Sequence, residues 1–173
     1  MGRWKKTAAV AALSAAMPAL QANQAPLSFD QRLLASHNRE RASLGLPPMA
    51  WDARLAADAA AYARQLTRVG HLVHSEGDAN DPDPQGENLW AGTKGYYGPE
   101  EMVGLWNAER KNFRPGVFPT NSRTGELEDV GHYTQIVWRS SRKVGCAMAR
   151  GTQDDFLVCR YSEGGNVIGE VPY

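Results

Sequence analysis

Residues 131–138 read Gly131-His132-Tyr133-Thr134-Gln135-Ile136-Val137-Trp138. Aromatic and β-branched side chains dominate this segment after its opening glycine, and that composition predicts a buried β-strand. The imidazole of His132 and the amide of Gln135 conflict with such an environment, because burying an unpaired polar group costs about 1–3 kcal/mol. The two side chains must therefore have hydrogen-bond partners or line a cleft.

Two short strands follow this segment and predict an antiparallel hairpin. Residues 144–149 and 156–161 are mostly apolar and are joined by a polar turn. Cys146 and Cys159 lie near the middle of the two strands, so we expect them to form a disulfide that contributes about 3 kcal/mol by closing a short loop. Two buried free thiols are the alternative.

The first 22 residues are typical of a secretory signal peptide. A basic start precedes the apolar residues 7–19, and Ala22 is a small residue at the expected cleavage point, with Ala25 as the alternative. We therefore exclude residues 1–22 from the fold and expect one domain over residues 23–173. The mature protein is expected to be secreted, to the periplasm or outside the cell, where disulfides persist. No later apolar run reaches the ~18 residues that a membrane span needs.

The charge balance argues against a nucleic-acid partner. The full chain has 19 Lys and Arg against 19 Asp and Glu, and removal of Arg3, Lys5 and Lys6 leaves 16 against 19, a formal net charge of −3. The remaining basic residues are scattered along the sequence, whereas a protein that binds phosphate backbones normally carries a basic stripe.

Three helices are predicted before the hairpin, each with its own start signal. Ser28 and Gln31 form a capping-box pattern at the start of the first helix. Asp52 is a suitable N-cap for the second helix, which should end near Gly70. Pro99 opens the third helix, since proline is favoured in the first turn.

Glu109 interrupts the apolar stripe of the third helix. Met102, Trp106 and Phe113 share one helix face with it, because residues three or four positions apart are neighbours on a helix. The carboxylate is therefore expected to point inward. The alternative is a Glu that bends towards water or pairs with an Arg at the edge of the stripe.

Two non-helical segments carry further His and Glu residues beside apolar anchors. His71 and His74 lie within residues 70–75, and Glu87 lies within residues 86–90, which read Gly-Glu-Asn-Leu-Trp. Together with Glu109 and His132, these residues supply acids and imidazoles from four separate parts of the chain.

A family resemblance combines these motifs. The segment 131–138, followed by Val144-Gly145-Cys146-Ala147, resembles the first signature of the CAP superfamily, which includes cysteine-rich secretory proteins, antigen 5 and plant pathogenesis-related 1 proteins. The other matching elements, in the family's order, are residues 86–90, 158–161, 165–166 and 169–173. The similarity runs from about Leu33 to Tyr173. It implies an α+β fold, a three-layer α-β-α sandwich with a small antiparallel sheet.

The resemblance also implies a cleft tetrad. Its members in this sequence are His74, Glu87, Glu109 and His132. In the family the two His can hold a divalent metal such as zinc, with the two Glu beside them. Because two imidazoles are a small ligand set, we expect His74 and His132 to bind Zn²⁺ or another divalent cation weakly, with water and one Glu completing the shell.

The other two histidines are expected to lie outside the tetrad. His74 precedes Ser75 as the family's cleft His precedes Ser, so His71 is expected to be a solvated or capping residue at the end of the second helix. His37 is expected on the surface or at the core edge of the first helix. Arg160 stands where the family frequently has Asn, and Glu163 stands where it frequently has Pro; neither is expected to touch the tetrad. Loss of the Pro at position 163 is expected to loosen a loop that in some relatives is associated with lipid contact.

Two functions from different classes are consistent with this tetrad. A secreted binding module would offer an apolar groove to a sterol, a fatty acid or a protein partner. The alternative is a metal-dependent hydrolase, a protease or esterase, in which zinc lowers the pKa of a bound water and Glu87 or Glu109 acts as general base. A variant of the enzymatic hypothesis is acid/base catalysis by the same groups without a metal. A third interpretation is a polar cluster that only links the helices to the sheet. We favour binding, because the family is not united by one reaction.

Overall fold

A computed structural model describes residues 1–2, 25–77 and 84–173 of this chain. The predicted signal peptide over residues 1–22 falls almost entirely outside the described residues. Within the described ranges, no helix combines the length and the apolar character that crossing a lipid bilayer requires.

Among the described residues, the sheet has four strands in the spatial order β1-β3-β4-β2. Their bounds are Ala50–Trp51 for β1, Gly86–Thr93 for β2, Lys143–Arg150 for β3 and Asp154–Ser162 for β4. The three long strands pair antiparallel, as expected, and the two-residue β1 adds a parallel edge beside β3. Within the β3-β4 hairpin, Cys146 lies directly opposite Cys159, and the predicted disulfide joins them.

Four α-helices accompany the sheet over the described part of the chain. Their bounds are Phe29–Ser43 for α1, Ala53–Val69 for α2, Pro99–Asn107 for α3 and Gly131–Ile136 for α4. The predicted caps are confirmed: Ser28 and Gln31 form the capping box of α1, and Asp52 accepts hydrogen bonds from the first amides of α2. Gly70 ends α2 with a φ of 80°, a left-handed conformation that glycine adopts without steric cost.

The helices cover both faces of the sheet, which confirms the three-layer α-β-α sandwich. α2 packs on one face, and Ala59, Ala63 and Leu66 bury its apolar stripe there. The approach is so close at Gly145 of β3 that a side chain there would collide with the backbone of α2. The other helices pack on the opposite face, around a larger core that contains Trp106 and the disulfide.

The segment 131–138 begins as a helix, so the predicted strand is wrong. α4 spans Gly131–Ile136, and its first amides find an acceptor far away in the sequence. Glu109 Oε2 accepts hydrogen bonds from the backbone amides of His132 and Tyr133, both at 3.0 Å. This carboxylate satisfies donors that a helix start otherwise leaves unpaired.

Arg41 of α1 binds the other end of the same segment. Its side chain is fully buried, and Nη1 donates to the carbonyl oxygens of Ile136 at 2.9 Å and of Trp138 at 2.7 Å. Burial lowers the pKa of Arg41 to about 10. Two distant charged residues therefore hold a helix whose own composition favours a strand.

His37 lies in the core, so the expectation of a position on the surface or at the core edge of α1 is wrong. Its side chain is fully buried, with Nδ1 2.8 Å from the Leu33 carbonyl oxygen and Nε2 2.8 Å from the Tyr161 hydroxyl. Burial and the charge of Arg41 lower the pKa of His37 to about 4. The imidazole is tolerated in the core because both ring nitrogens have partners.

The buried side-chain amide of Gln135 likewise has hydrogen-bond partners. Its amide nitrogen donates to the Ser141 hydroxyl at 3.1 Å, and its carbonyl oxygen accepts from the Gly165 amide at 2.9 Å. Gln135 is therefore a core residue of α4 with satisfied hydrogen bonds, whereas His132 is half-buried at a cleft.

Candidate functional site

His132 and Glu109 form the first pair of the candidate site. Nδ1 of His132 lies 2.6 Å from Glu109 Oε1, and the ring stacks on Trp106 with centroids 5.8 Å apart and planes 13° apart. α3 ends at Asn107, so Glu109 lies on the 3-10 turn that follows, yet its side chain points inward as predicted. Because an ionised carboxylate only accepts hydrogen bonds, Nδ1 carries the proton of the neutral ring and Nε2 is the unprotonated nitrogen.

His74 and Glu87 form the second pair, and Arg160 joins it. Glu87 Oε1 lies 2.7 Å from His74 Nδ1 and accepts from the Ser75 amide at 3.0 Å, while Oε2 lies 2.8 Å from Arg160 Nη2. The latter contact is an ion pair and not an aligned hydrogen bond, since Oε2 has no hydrogen-bond partner among the described residues. The expectation that Arg160 does not touch the tetrad is therefore wrong.

The strands explain why Arg160 reaches Glu87. The two residues are direct cross-strand partners in the antiparallel β2-β4 pair. Side chains at such positions point to the same face, and opposite charges across the strands attract. Arg160 also donates to the Ser75 hydroxyl at 2.9 Å, and its guanidinium lies 5.3 Å from the centroid of the Tyr62 ring.

These contacts shift the pKa values of the second pair in opposite directions. The hydrogen bond to Glu87 raises the pKa of His74 above its ordinary value, against the effect of burial. Burial raises the pKa of Glu87, but His74, Arg160 and the Ser75 amide together outweigh it, and the pKa lies below the ordinary value. The surroundings therefore favour the ionised form of both groups.

One cleft, with a volume of 510 Å³, brings the two pairs together. His74, Glu87 and His132 line it, and Glu109 supports His132 from behind. His71 is exposed and does not line this cleft. The metal-binding and catalytic roles of the tetrad stay predictions.

Several cleft residues were missed by sequence reasoning. Asn88 donates to the His132 carbonyl oxygen and to the Tyr161 hydroxyl, both at 3.1 Å, and so ties the cleft to the core. Its position next to Glu87 in the Gly-Glu-Asn-Leu element could have indicated a role for Asn88 at the cleft. The apolar wall has no comparable signal in the sequence, because it comes from connecting segments. Its residues are Phe118, Leu127 and Ile168.

The two imidazoles could hold a divalent metal. Metal-binding His residues usually donate their second ring N–H to a carboxylate, and in the neutral form both rings can do so here, which leaves each unprotonated Nε2 to bind the metal. Both oxygens of Glu87 and of Glu109 are already engaged. The protein ligands are thus two nitrogens, with water left to complete the shell, and such a set suits weak binding.

A second group of metal-type ligand atoms is unsuitable. His37, Cys146 and Cys159 place one ligand atom each within 4.8 Å of one another, all buried. Both sulfurs belong to the disulfide, whereas the thiolate is the form that binds metals. This group packs the core.

Comparisons with known proteins agree with this architecture. Residues 34–161 match the family described as CAP, the cysteine-rich secretory protein family. Pathogenesis-related protein 1C from Nicotiana tabacum is 37% identical over 144 residues, which cover 83% of this chain and 80% of that protein. Pathogenesis-related leaf protein 4 from Solanum lycopersicum is 40% identical over 144 residues, covering 83% and 82%.

A solved structure shares the fold. The crystal structure of NaASP2 with Zn²⁺ has a TM-score of 0.67 to this chain, with 23% identity and 83% of each chain covered. At that identity the likeness shows the fold alone, and the zinc is a property of that protein.

Proposed function

This chain belongs to the CAP family of cysteine-rich secretory proteins, and on that premise we propose that its mature form is an exported binding module for a sterol or a fatty acid. Residues 1–22 would direct export to the periplasm or the cell exterior, where the disulfide between Cys146 and Cys159 is stable. A protein partner at the same cleft is the alternative occupant.

The observation that carries this proposal is the mixed lining of the 510 Å³ cleft, which contains both apolar and polar residues. Ile168 on its apolar wall is 80% exposed and Leu127 is 38% exposed. Asn88 and the two imidazoles line the same cleft and offer polar atoms. A concave site of a few hundred Å³ with an apolar wall and a few polar groups suits an amphiphile.

The engagement of both acids favours binding over hydrolysis. A general base needs an oxygen within hydrogen-bond reach of the proton that it takes. Glu87 would first have to release His74, Ser75 or Arg160, and Glu109 would have to release His132 or the start of α4.

A weakly held divalent cation is part of the proposal. His74 and His132 would hold it through Nε2, and it would supply a Lewis acid to the polar end of a ligand. Isothermal titration of the metal-free protein with zinc tests this assignment. Wild type is expected to bind, and the double variant His74→Ala/His132→Ala is expected to lose binding; equal affinities would remove the metal site.

Recovery of cholesterol and of palmitate by the purified mature protein tests the lipid proposal. The double variant Leu127→Asp/Ile168→Asp places charge on the apolar wall and is expected to lose most of the recovered lipid. Leu105→Asp is the matched control, because Leu105 is 52% exposed on α3 and does not line the cleft. Recovery no better than that of an unrelated exported protein, or equal losses in both variants, would contradict the proposal.

A further inference from the structure

The two His–Glu pairs of the cleft differ in charge. Arg160 lies against Glu87, so the second pair has a cation that balances its carboxylate. Within the described part of the chain, Glu109 has no Lys or Arg at ion-pair distance, and His132 is its only titratable partner. With neutral imidazoles, the group of His74, Glu87 and Arg160 has no net charge, whereas the pair of His132 and Glu109 carries −1.

The position of Arg160 makes its charge effective. Its side chain is 14% exposed and that of Glu87 is 8% exposed, so solvent screens their interaction less than it screens a surface pair. Contacts with the Ser75 hydroxyl and the Tyr62 ring hold the guanidinium in place. Arg160 does not line the 510 Å³ cleft, so it acts there through Glu87.

We infer that Arg160 is a positioning residue that limits how tightly this cleft holds a divalent cation. Its guanidinium lies against Glu87 Oε2 and cancels the negative charge that would otherwise attract a cation bound at His74. A cation in the cleft is therefore attracted mainly by Glu109 behind His132 and by Glu128 on the cleft wall, neither of which has a Lys or Arg at ion-pair distance among the described residues. This inference rests on the proposed metal-holding role of the two imidazoles.

Zinc titration of three Arg variants tests the inference. Arg160→Gln removes the charge and is expected to bind zinc at least about tenfold more tightly than wild type, within the 10–100-fold range that outer contacts of metal ligands produce. Arg160→Lys keeps the charge and is expected to stay near wild type. Arg150→Gln is the matched control, since it removes one charge at a side chain that is 67% exposed at the far end of β3.

NMR of the imidazole nitrogens adds a measurement that a merely structural role would not change. In Arg160→Gln, zinc is expected to shift Nε2 of both His74 and His132, while each Nδ1 keeps its proton. Thermal unfolding verifies that the variants fold, and Arg160→Met, which also removes the charge and keeps a long side chain, is expected to tighten zinc binding in the same way and replaces Arg160→Gln if that variant does not fold.

The contrary outcomes are distinguishable. If Arg160→Gln and wild type bind zinc equally, and both lose binding in the His74→Ala/His132→Ala background, the inference is overturned and the proposed metal site stands. Tightening by Arg160→Lys or Arg150→Gln equal to that by Arg160→Gln would also overturn it. If neither wild type nor Arg160→Gln binds zinc, the metal site and the inference both fail.

Discussion

Glu109 holds His132 twice, through the imidazole Nδ1 at 2.6 Å and through the backbone amide at 3.0 Å. The same carboxylate accepts the amide of Tyr133, while Val130 at the N-cap position of α4 makes no side-chain hydrogen bond. One acid therefore orients the cleft imidazole and satisfies the start of the helix that carries it. The cleft and α4 should consequently respond together to a change at Glu109.

Glu109→Gln is expected to lower the free energy of unfolding by about 1–3 kcal/mol, because an amide keeps only one of the two acceptor oxygens and its NH₂ faces N–H donors. Urea unfolding measures the loss, and amide hydrogen exchange at His132 and Tyr133 should become faster. Glu126→Gln, at an exposed position, is the control. Unchanged stability and exchange would show that the carboxylate is dispensable for α4.

Arg41→Met is expected to destabilise the protein by about 3 kcal/mol, because the carbonyls of Ile136 and Trp138 would be buried without a donor. Methionine is similar in length and supplies no hydrogen bond. Urea unfolding measures the effect, with Arg39→Met as the control, since Arg39 is exposed on the same helix. An equal effect of both substitutions would argue against the role assigned to Arg41.

The burial of His37 predicts a loss of stability in acid. Its pKa is about 4 in the folded protein and 6.5 without burial, so between these pH values the unfolded chain binds more protons and stability falls as the pH falls. The expected loss from pH 7 to pH 4 is about 3 kcal/mol. His37→Gln should be less stable at pH 7 but should not show this loss of stability in acid. The exposed-site variant His71→Gln should show the same loss as wild type. Parallel plots of unfolding free energy against pH for wild type and His37→Gln would refute the prediction.

The His74–Glu87 bond predicts a titration that depends on Glu87. In metal-free protein, NMR titration is expected to give His74 a pKa above its ordinary value, and Glu87→Gln should lower it. The stabilising contribution of His74 is complete below the ordinary pKa and is lost as the pH rises through the raised pKa. Glu126→Gln should leave the titration of His74 unchanged, and an unaltered pKa in Glu87→Gln would contradict the geometry.

Local signals in the sequence predicted the elements whose stability is local. The capping box at Ser28, the N-cap Asp52 and the glycine at position 70 work over a few residues, and all three ends are confirmed. The sequence also predicted the hairpin, because its two strands are adjacent in sequence and one disulfide joins them.

The candidate site was predictable only through motifs. Spacing indicated that Glu109 points inward, and the resemblance placed His74, Glu87 and His132 together. The contact between Arg160 and Glu87 depends on the register of β2 against β4, strands separated by 60 residues, and no local pattern shows that register.

By itself the sequence determined the helix caps and the disulfide-linked hairpin, because these features act at short range, and the resemblance of its spaced motifs to a family implied the three-layer sandwich and the candidate tetrad. Tertiary structure alone decided that residues 131–136 are helical, that His37 is neutral in the core and that Arg160 compensates Glu87. Each of these outcomes depends on a partner far away in the chain, and long-range contacts such as those of Glu109 and Arg41 override the intrinsic preference of a short segment.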